Sequence, residues 1–242
     1  MNQSFYTATV GAWQQQVRLN VHGNNIANVN NYGFKAKKPV FSDLMYGYIQ
    51  GAEQEEMPRG TGAYMVTADT DFSAMGLADT GRAMDYAIEG DGFFALWDPA
   101  TGNYSYTRDG SFTMSQYMLQ GQDGELETKW YLSDGLGQFV IGRNGQLIEV
   151  TDQKAELPVG IFDFVNTNGM QHIGDNRFVP VEKNGQLRVG SGKLVQGYLE
   201  NSNVDLGGEL VKVIESQRSF TYALKMIQTS DEIETTVNDL RR

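Results

Sequence analysis

Two stretches with helical periodicity stand at opposite ends of this chain, and they limit what everything between them can fold into. From about Asn203 to Arg242, the residues Leu206, Leu210, Val213, Gln217, Phe220, Leu224 and Ile227 recur in steps of four and three. That is the 3.5-residue period of a helix lying along another helix. A second seam, Ala223, Met226, Ser230, Ile233, Val237 and Leu240, keeps the same steps one position over. Two seams predict more than one neighbour. Asn203 or Asp205 is placed to cap the start, Asp205 and Glu209 stand where the helix dipole favours negative charge, and Arg241 and Arg242 stand where it favours positive charge. Gly207 and Gly208 each weaken the first turn by about 1 kcal/mol.

Residues 2–28 form the matching helix, with two apolar stripes. Phe5, Ala8, Ala12, Leu19 and Ile26 make one, and Tyr6, Val10, Trp13, Val17 and Val21 make another well round the cylinder. Gln14, Gln15, Arg18 and His22 fill much of the remaining surface. Such a helix is either sandwiched in an assembly or deeply buried in its own domain. It ends in Asn24-Asn25-Ile26-Ala27-Asn28-Val29-Asn30-Asn31-Tyr32-Gly33-Phe34-Lys35. Asparagine side chains bond to nearby backbone and tolerate left-handed conformations, so this run predicts a helix end and a turn closed by Gly33.

Between the helices the pattern changes. Residues 36–86 read as an extended connector, in which Glu53, Glu55 and Glu56 precede Pro58, Gly60 and Gly62 and argue against continuous helix. From Ala87 to Gln196 the chain is β in character, punctuated by seven Asp-Gly or Asn-Gly pairs at Asp91, Asp109, Asp123, Asp134, Asn144, Asn168 and Asn184. Each pair is able to adopt the positive φ angles of a tight hairpin. Ala87-Ile88, Phe93–Trp97, Gln138–Ile141 and Gly160–Val165 are the most strand-like runs, predicting an antiparallel sandwich or barrel.

Chemistry is hard to place on this chain. A formal charge of −11 excludes a phosphate-backbone binder. No apolar run approaches the roughly 20 residues of a membrane span, and Met1-Asn2-Gln3-Ser4 lacks a signal peptide's basic and apolar regions. Cysteine is absent, which removes disulfides and thiolate sites. With only His22 and His172, neither a histidine metal site nor a serine-histidine-acid triad can be assembled. Asp69 with Asp71 lacks the further ligands of a calcium loop, and Gly185 to Gly190 lacks the lysine of a phosphate loop. No enzymatic, cofactor or metal site is expected. The aromatics Trp97, Tyr104, Tyr106, Phe112, Tyr117, Trp130 and Tyr131 either line a glycan groove or, as such residues more often do, fill the core or pair across strands.

The run from Asn24 to Lys35 resembles the N-terminal signature of the bacterial flagellar rod and hook axial proteins, and Phe41-Ser42-Asp43-Leu44-Met45-Tyr46 follows as in rod proteins. Further blocks match in order: Ala87–Phe94, Tyr106–Phe112, Ile141–Gly145, Gln196–Val204, and Gln217-Arg218-Ser219-Phe220 through Ile227–Glu232. The likeness is weakest from Tyr117 to Gln138. The chain is most similar to the distal and proximal rod proteins, and the shorter connector leaves open which.

The resemblance implies an α+β fold in which long N- and C-terminal helices pair as a coiled-coil-like inner domain (residues 1–35 plus 203–242), with an antiparallel all-β outer domain (87–202) beyond the connector. It implies a structural subunit of the basal-body rod, exported without a cleaved signal peptide and assembled helically into a tube that transmits torque. Its partners would be further copies of itself, neighbouring rod and hook proteins and the flagellar type III export apparatus, with no nucleic acid and no membrane insertion. The expected assembly interface comprises Phe5, Ala12, Trp13, Val17, Leu19, Asn24, Asn25, Ile26 and Asn28 on the first helix. On the last it comprises Leu206, Leu210, Val213, Gln217, Arg218, Phe220, Leu224, Ile227, Ile233, Val237 and Leu240. A secreted β-rich binding module oligomerised by its terminal helices is the competing expectation.

Overall fold

The structure, a computed structural model, describes residues 3–44, 47–50, 56–120, 126–152 and 157–241. The sequence readings at Met45, Tyr46, Glu53, Glu55, Asp123 and Arg242 fall outside them. The chain divides into two compact units. Both terminal helices and the central antiparallel strands follow the α+β expectation.

The first unit takes Met1–Ala27, Lys37–Asp69 and Val204–Arg242. Its elements are α1 (Gln3–Ala27), β1 (Lys37–Asp43), β2 (Gly47–Gln50), β3 (Glu56–Arg59), β4 (Ala63–Thr70) and α2 (Leu206–Leu240). The stretch read as an extended connector thus contains paired strands, β1 with β4 and β2 with β3. The backbone N–H of Met65 donates to Gln14 Oε1 at 2.7 Å, and the atoms nearest Gly62 come from Val10, Leu44 and Thr7. These strands therefore lie on the side of α1 that carries Thr7, Val10 and Gln14.

The second unit takes Asn28–Ala36 and Thr70–Asn203. Its strands are β5 (Leu77–Asp79), β6 (Tyr86–Glu89), β7 (Phe94–Trp97), β8 (Tyr104–Thr107), β9 (Thr113–Gln120), β10 (Leu126–Ser133), β11 (Phe139–Val140), β12 (Phe162–Phe164), β13 (Gln171–Gly174), β14 (Arg177–Val179), β15 (Leu187–Val189), β16 (Lys193–Gln196) and β17 (Tyr198–Glu200). Seven form one antiparallel sheet in the order β13-β14-β8-β7-β11-β10-β9, and β16-β6, β17-β5 and β12-β15 form smaller pairs. Strand side chains alternate between faces, and the unbroken apolar run Phe93–Trp97 serves two cores. Phe94 and Leu96 enter a cluster with Tyr86, Phe112, Leu132 and Val140, while Phe93 and Ala95 enter another with Tyr106, Phe164 and Phe178. A strand apolar at every position is one covered on both faces.

The hairpin β9–β10 is paired over its whole length, from Thr113↔Ser133 to Gln120↔Leu126. It occupies the region where strand signals and family likeness are weakest. Met118 and Trp130 on it stay exposed, so the hairpin is not held to the strong apolar alternation that marks a half-buried strand.

The tight-turn expectation needs correction. None of the described Asp or Asn residues in the Asp-Gly and Asn-Gly pairs has a positive φ. The paired positive angles fall instead at Asp175 (49°) and Asn176 (55°), joining β13 to β14. The side chains explain the difference, because they fold back on their own loops. Asp109 Oδ1 accepts from the Ser111 N–H at 3.0 Å, Asp134 Oδ1 accepts from Leu136 and Gln138, and Asn184 Oδ1 accepts from the Val181 N–H at 2.6 Å.

Two of these glycines make opposite demands. A methyl at Gly110 would collide with the carbonyl of Tyr86, whose own N–H donates to the Gly110 carbonyl at 3.1 Å. Gly135 has open space around it and no positive φ. Gly110→Ala is therefore expected to destabilise the second unit by about 3 kcal/mol or more. Gly135→Ala should leave stability unchanged or raise it by about 0.4–1 kcal/mol through the unfolded chain. Urea unfolding followed by tryptophan fluorescence measures both.

Candidate assembly interface

α1 and α2 pack antiparallel, since Arg18 meets Glu215 while His22, further along α1, meets Glu209, further back on α2. The seam between them is not either of those predicted for α2. Its covered positions are Glu209, Val213, Ser216, Phe220, Ala223, Ile227 and Ser230, again in steps of four and three. This line runs between the two predicted seams and borrows from both. On α1 the covered line is Ala8, Ala12, Gln15, Leu19, His22 and Ile26, which joins one predicted stripe to two members of the polar strip. Ala12, Ser216 and Ser230 are small and buried, and small side chains let two backbones approach closely.

A buried polar cluster fixes the register. Glu209 is 5% exposed, and its Oε2 accepts from His22 Nδ1 at 2.7 Å and from Asn25 Nδ2 at 3.2 Å, while Oε1 accepts from Lys212 Nζ at 2.9 Å. Burial pushes the Glu209 carboxyl up, but the hydrogen bonds from Lys212, His22 and Asn25 outweigh it and hold the group below its ordinary value. Asn25, fully buried, also clasps the chain after the turn: Nδ2 donates to the Lys37 carbonyl and Oδ1 accepts from the Lys37 N–H, both at 2.9 Å. Asn28 Oδ1 accepts from Asn31 Nδ2 at 2.7 Å inside the turn. At the start of α2, Asp205 takes the cap position without a side-chain hydrogen bond to the helix, and its carboxylate lies over Gly208.

The other expected interface residues divide by position. Val213, Phe220, Ile227, Ala12, Leu19 and Ile26 are covered to some degree within the chain. Phe5, Trp13, Asn24, Leu206, Leu210, Gln217, Arg218, Leu224, Ile233, Val237 and Leu240 are exposed, with Trp13 at 68% and Leu240 at 83%. Val17 is half-buried on the back of α1. By helical geometry, with about 100° per residue, Leu210, Gln217 and Leu224 lie on one flank of the inner seam, and Met226, Ile233 and Leu240 lie on the other.

The same blocks have known counterparts. Residues 5–35 match the family model described as flagella basal body rod protein, residues 87–150 that of the flagellar hook protein FlgE/F/G D1 domain, and residues 195–240 that of the flagellar basal body rod FlgEFG protein C-terminal region. The chain is 33% identical to the flagellar basal-body rod protein FlgG of Buchnera aphidicola subsp. Baizongia pistaciae, over 96% of this chain and 97% of that one. To FlgG of Bacillus subtilis it is 32% identical over the full length of both. To FlgF of Rhizobium meliloti it is 28% identical, over 96% of this chain and 94% of the relative.

The chain belongs to the flagellar basal-body rod protein family. It is a structural subunit of the rod, located in the basal body, and no described helix is long and apolar enough to cross a membrane.

Three of the blocks that carry the rod-family likeness converge in the second unit on a buried ion cluster that sequence reading missed. Glu200 Oε1 accepts from Lys35 Nζ at 2.7 Å and from the Met75 N–H at 3.2 Å, and Oε2 accepts from Arg108 Nη1 at 3.3 Å. All three side chains are 2% exposed or less. Burial pushes the Lys35 and Arg108 cations down, against the pull of Glu200. Gly33 closes the same turn with φ +66°, and a methyl there would run into the backbone of Arg108 and Asp109. Asn203 adds a further tie, accepting from the Ala36 N–H and donating to the Asp71 carbonyl, both at 2.7 Å. The signal available in the sequence was one lysine, one arginine and one glutamate, each inside a family block.

The depressed Glu209 carboxyl links helix pairing to pH. The unfolded chain binds the proton more readily, so the stabilisation is fully present above the ordinary glutamate value of ~4.3 and is lost as pH falls through the lower folded value. The protection factor of amides around Ser216, taken against intrinsic exchange at each pH, is expected to fall between pH ~6 and ~3, and Glu209→Gln should remove most of that acid dependence.

Proposed function

We propose that this rod subunit assembles through the two uncovered flanks of α2 and the exposed edge of α1 that carries Tyr6 and Trp13, against further copies of itself and neighbouring rod and hook proteins. The resulting tube of helices carries torque. What supports this reading is the distribution of apolar surface within one chain. The covered seam takes Val213, Phe220, Ile227, Leu19 and Ile26 along with small residues such as Ser216, Ser230 and Ala12, yet Leu210, Tyr222, Leu224, Met226 and Ile233 remain between 40% and 64% exposed. Contiguous apolar surface of this kind marks an interaction site, and each large side chain covered on assembly contributes about 1.5–3 kcal/mol. α2 also runs exposed from Asp231 to Arg241, a length at which an isolated helix is marginal in water.

The two flanks carry different residues, so a copy that docks on one flank presents another surface of itself. Such heterologous contacts repeat without closing and generate a helical tube. Gln217, Arg218 and Asn24, all exposed, would bond between copies in that tube. In this reading residues 1–35 with 203–242 form the inner assembly domain, 36–86 the connector and 87–202 the outer domain. The chain reaches the rod through the flagellar export apparatus, and no catalysis is involved.

Leu224→Asp and Ile233→Asp place a charge on each flank in turn. Both are expected to leave the helical circular dichroism of the monomer unchanged, and each should lower incorporation into isolated basal bodies at least about tenfold, corresponding to ~1.4 kcal/mol. Normal incorporation of both variants would overturn the proposal.

A further inference from the structure

The seven-stranded sheet carries a row of aromatic side chains on one face. Trp97 on β7 lies directly across from Tyr104 on β8 and from Phe139 on β11, so all three leave the sheet on the same side. Tyr131 joins the row on β10, two residues from Ser133, the partner of Phe139. The row is braced from within: Trp97 meets Tyr117 edge-on at 6.1 Å, and Tyr131 meets Phe139 edge-on at the same distance. Tyr131 and Phe139 are buried, at 5% and 3% exposure, so the aromatic surface open to a ligand is that of Tyr104 and part of Trp97.

The segment Gly145–Glu149 crosses beside this row, tied by the bridges Ile141↔Leu147 and Tyr131↔Glu149. It leaves an open groove of about 420 Å³ lined by Trp97, Tyr104, Tyr131, Leu147, Gln146 and Glu149. Of the uses expected for these aromatics, Tyr104 shows cross-strand pairing, opposite Trp97, and stays 51% exposed, while Trp97 is only half-buried. The volume falls in the range of small-molecule sites, which combine an apolar floor with a few placed polar groups.

The chemistry of the groove selects its occupant. Aromatic surface stacks on the flat C–H face of a pyranose ring. The exposed amide of Gln146 both donates to and accepts from hydroxyls. The carboxylate of Glu149 is paired with Lys129 at 3.5 Å, so the rim has no net charge to offer an ionic ligand. The geometry points to a binding subsite for a neutral pyranose oligosaccharide. It lies in the second unit and uses none of the helix surface assigned to assembly.

Titration of the full chain with chitotriose and with cellotriose, followed by tryptophan fluorescence and calorimetry, tests this. Saturable binding of at least one sugar is expected, with Tyr104→Ala and Gln146→Ala each weakening it at least about tenfold. Both side chains are exposed enough for their removal to spare the fold. Trp97→Phe should remove the fluorescence response, and Trp13→Phe, on α1, should leave it. Failure of both sugars to saturate overturns the proposal, as does binding indifferent to Tyr104→Ala and Gln146→Ala. If those variants instead weaken incorporation into basal bodies with no sugar bound by the parent chain, the groove receives a neighbouring subunit and the proposal falls.

Discussion

The antiparallel closure of α1 on α2 joins segments nearly two hundred residues apart, and everything between must leave and return to the same place. That closure rests on one buried carboxylate. Glu209 gathers His22, Asn25 and Lys212 about itself, and Asn25 in turn holds Lys37 by a pair of backbone hydrogen bonds. The base of the loop 28–36 is thereby clamped at both its entry and its exit. Hydrogen bonds to charged groups are stronger and more directional than apolar contacts. They specify which turn of α2 faces which turn of α1, a matter on which small side chains such as Ala12 and Ser216 are silent.

The polar cluster also explains why the hydrophobic pattern reveals only part of the site. The helices themselves were legible from their 3.5-residue period, and both seams predicted on α2 correspond to real lines of apolar residues. What the period could not reveal is that the intrachain seam runs between them, because three of its members, Glu209, Ser216 and Ser230, are polar and His22 faces Glu209 from α1. A pattern search weighted by hydrophobicity assigns such residues to solvent. The ion cluster of Lys35, Arg108 and Glu200 was hidden for the same reason, since nothing in one dimension tells a buried charge from a solvated one. In the β region the run Phe93–Trp97 was legible because it is covered on both faces. The hairpin β9–β10 was not, since it leaves Met118 and Trp130 exposed. Turn chemistry was read correctly in place and wrongly in form: the Asp-Gly and Asn-Gly pairs mark loops, but their side chains bond to backbone and leave the paired left-handed conformation to Asp175 and Asn176.

The second unit shows the same reliance on buried polar groups. Lys35, Arg108 and Glu200 come from three separate segments, and removing one partner of a buried pair leaves an uncompensated charge at a cost of about 3–5 kcal/mol. Such a cluster adds little net stability compared with well-packed apolar residues, but it penalises every arrangement in which the segments fail to meet. Gly33 works in the same direction by sterics, because only a residue without a side chain fits between the turn and the backbone of Arg108 and Asp109.

Polar closure within the chain and apolar surface outside it are two sides of one design problem. A residue turned into the intrachain seam is not available to a neighbouring subunit. If Leu210, Leu224, Met226 and Ile233 were turned into the intrachain seam, the helix pair would gain burial and the assembly would lose its contacts. Hydrogen-bonded and small residues share the seam with Val213, Phe220 and Ile227 and leave Leu210, Leu224, Met226 and Ile233 outside it. In the proposed assembly, a further apolar contribution comes when another subunit covers those flanks. The net charge of −11 acts on the same balance, since like charges keep free subunits apart at long range while contributing little against apolar contacts that form only at close approach.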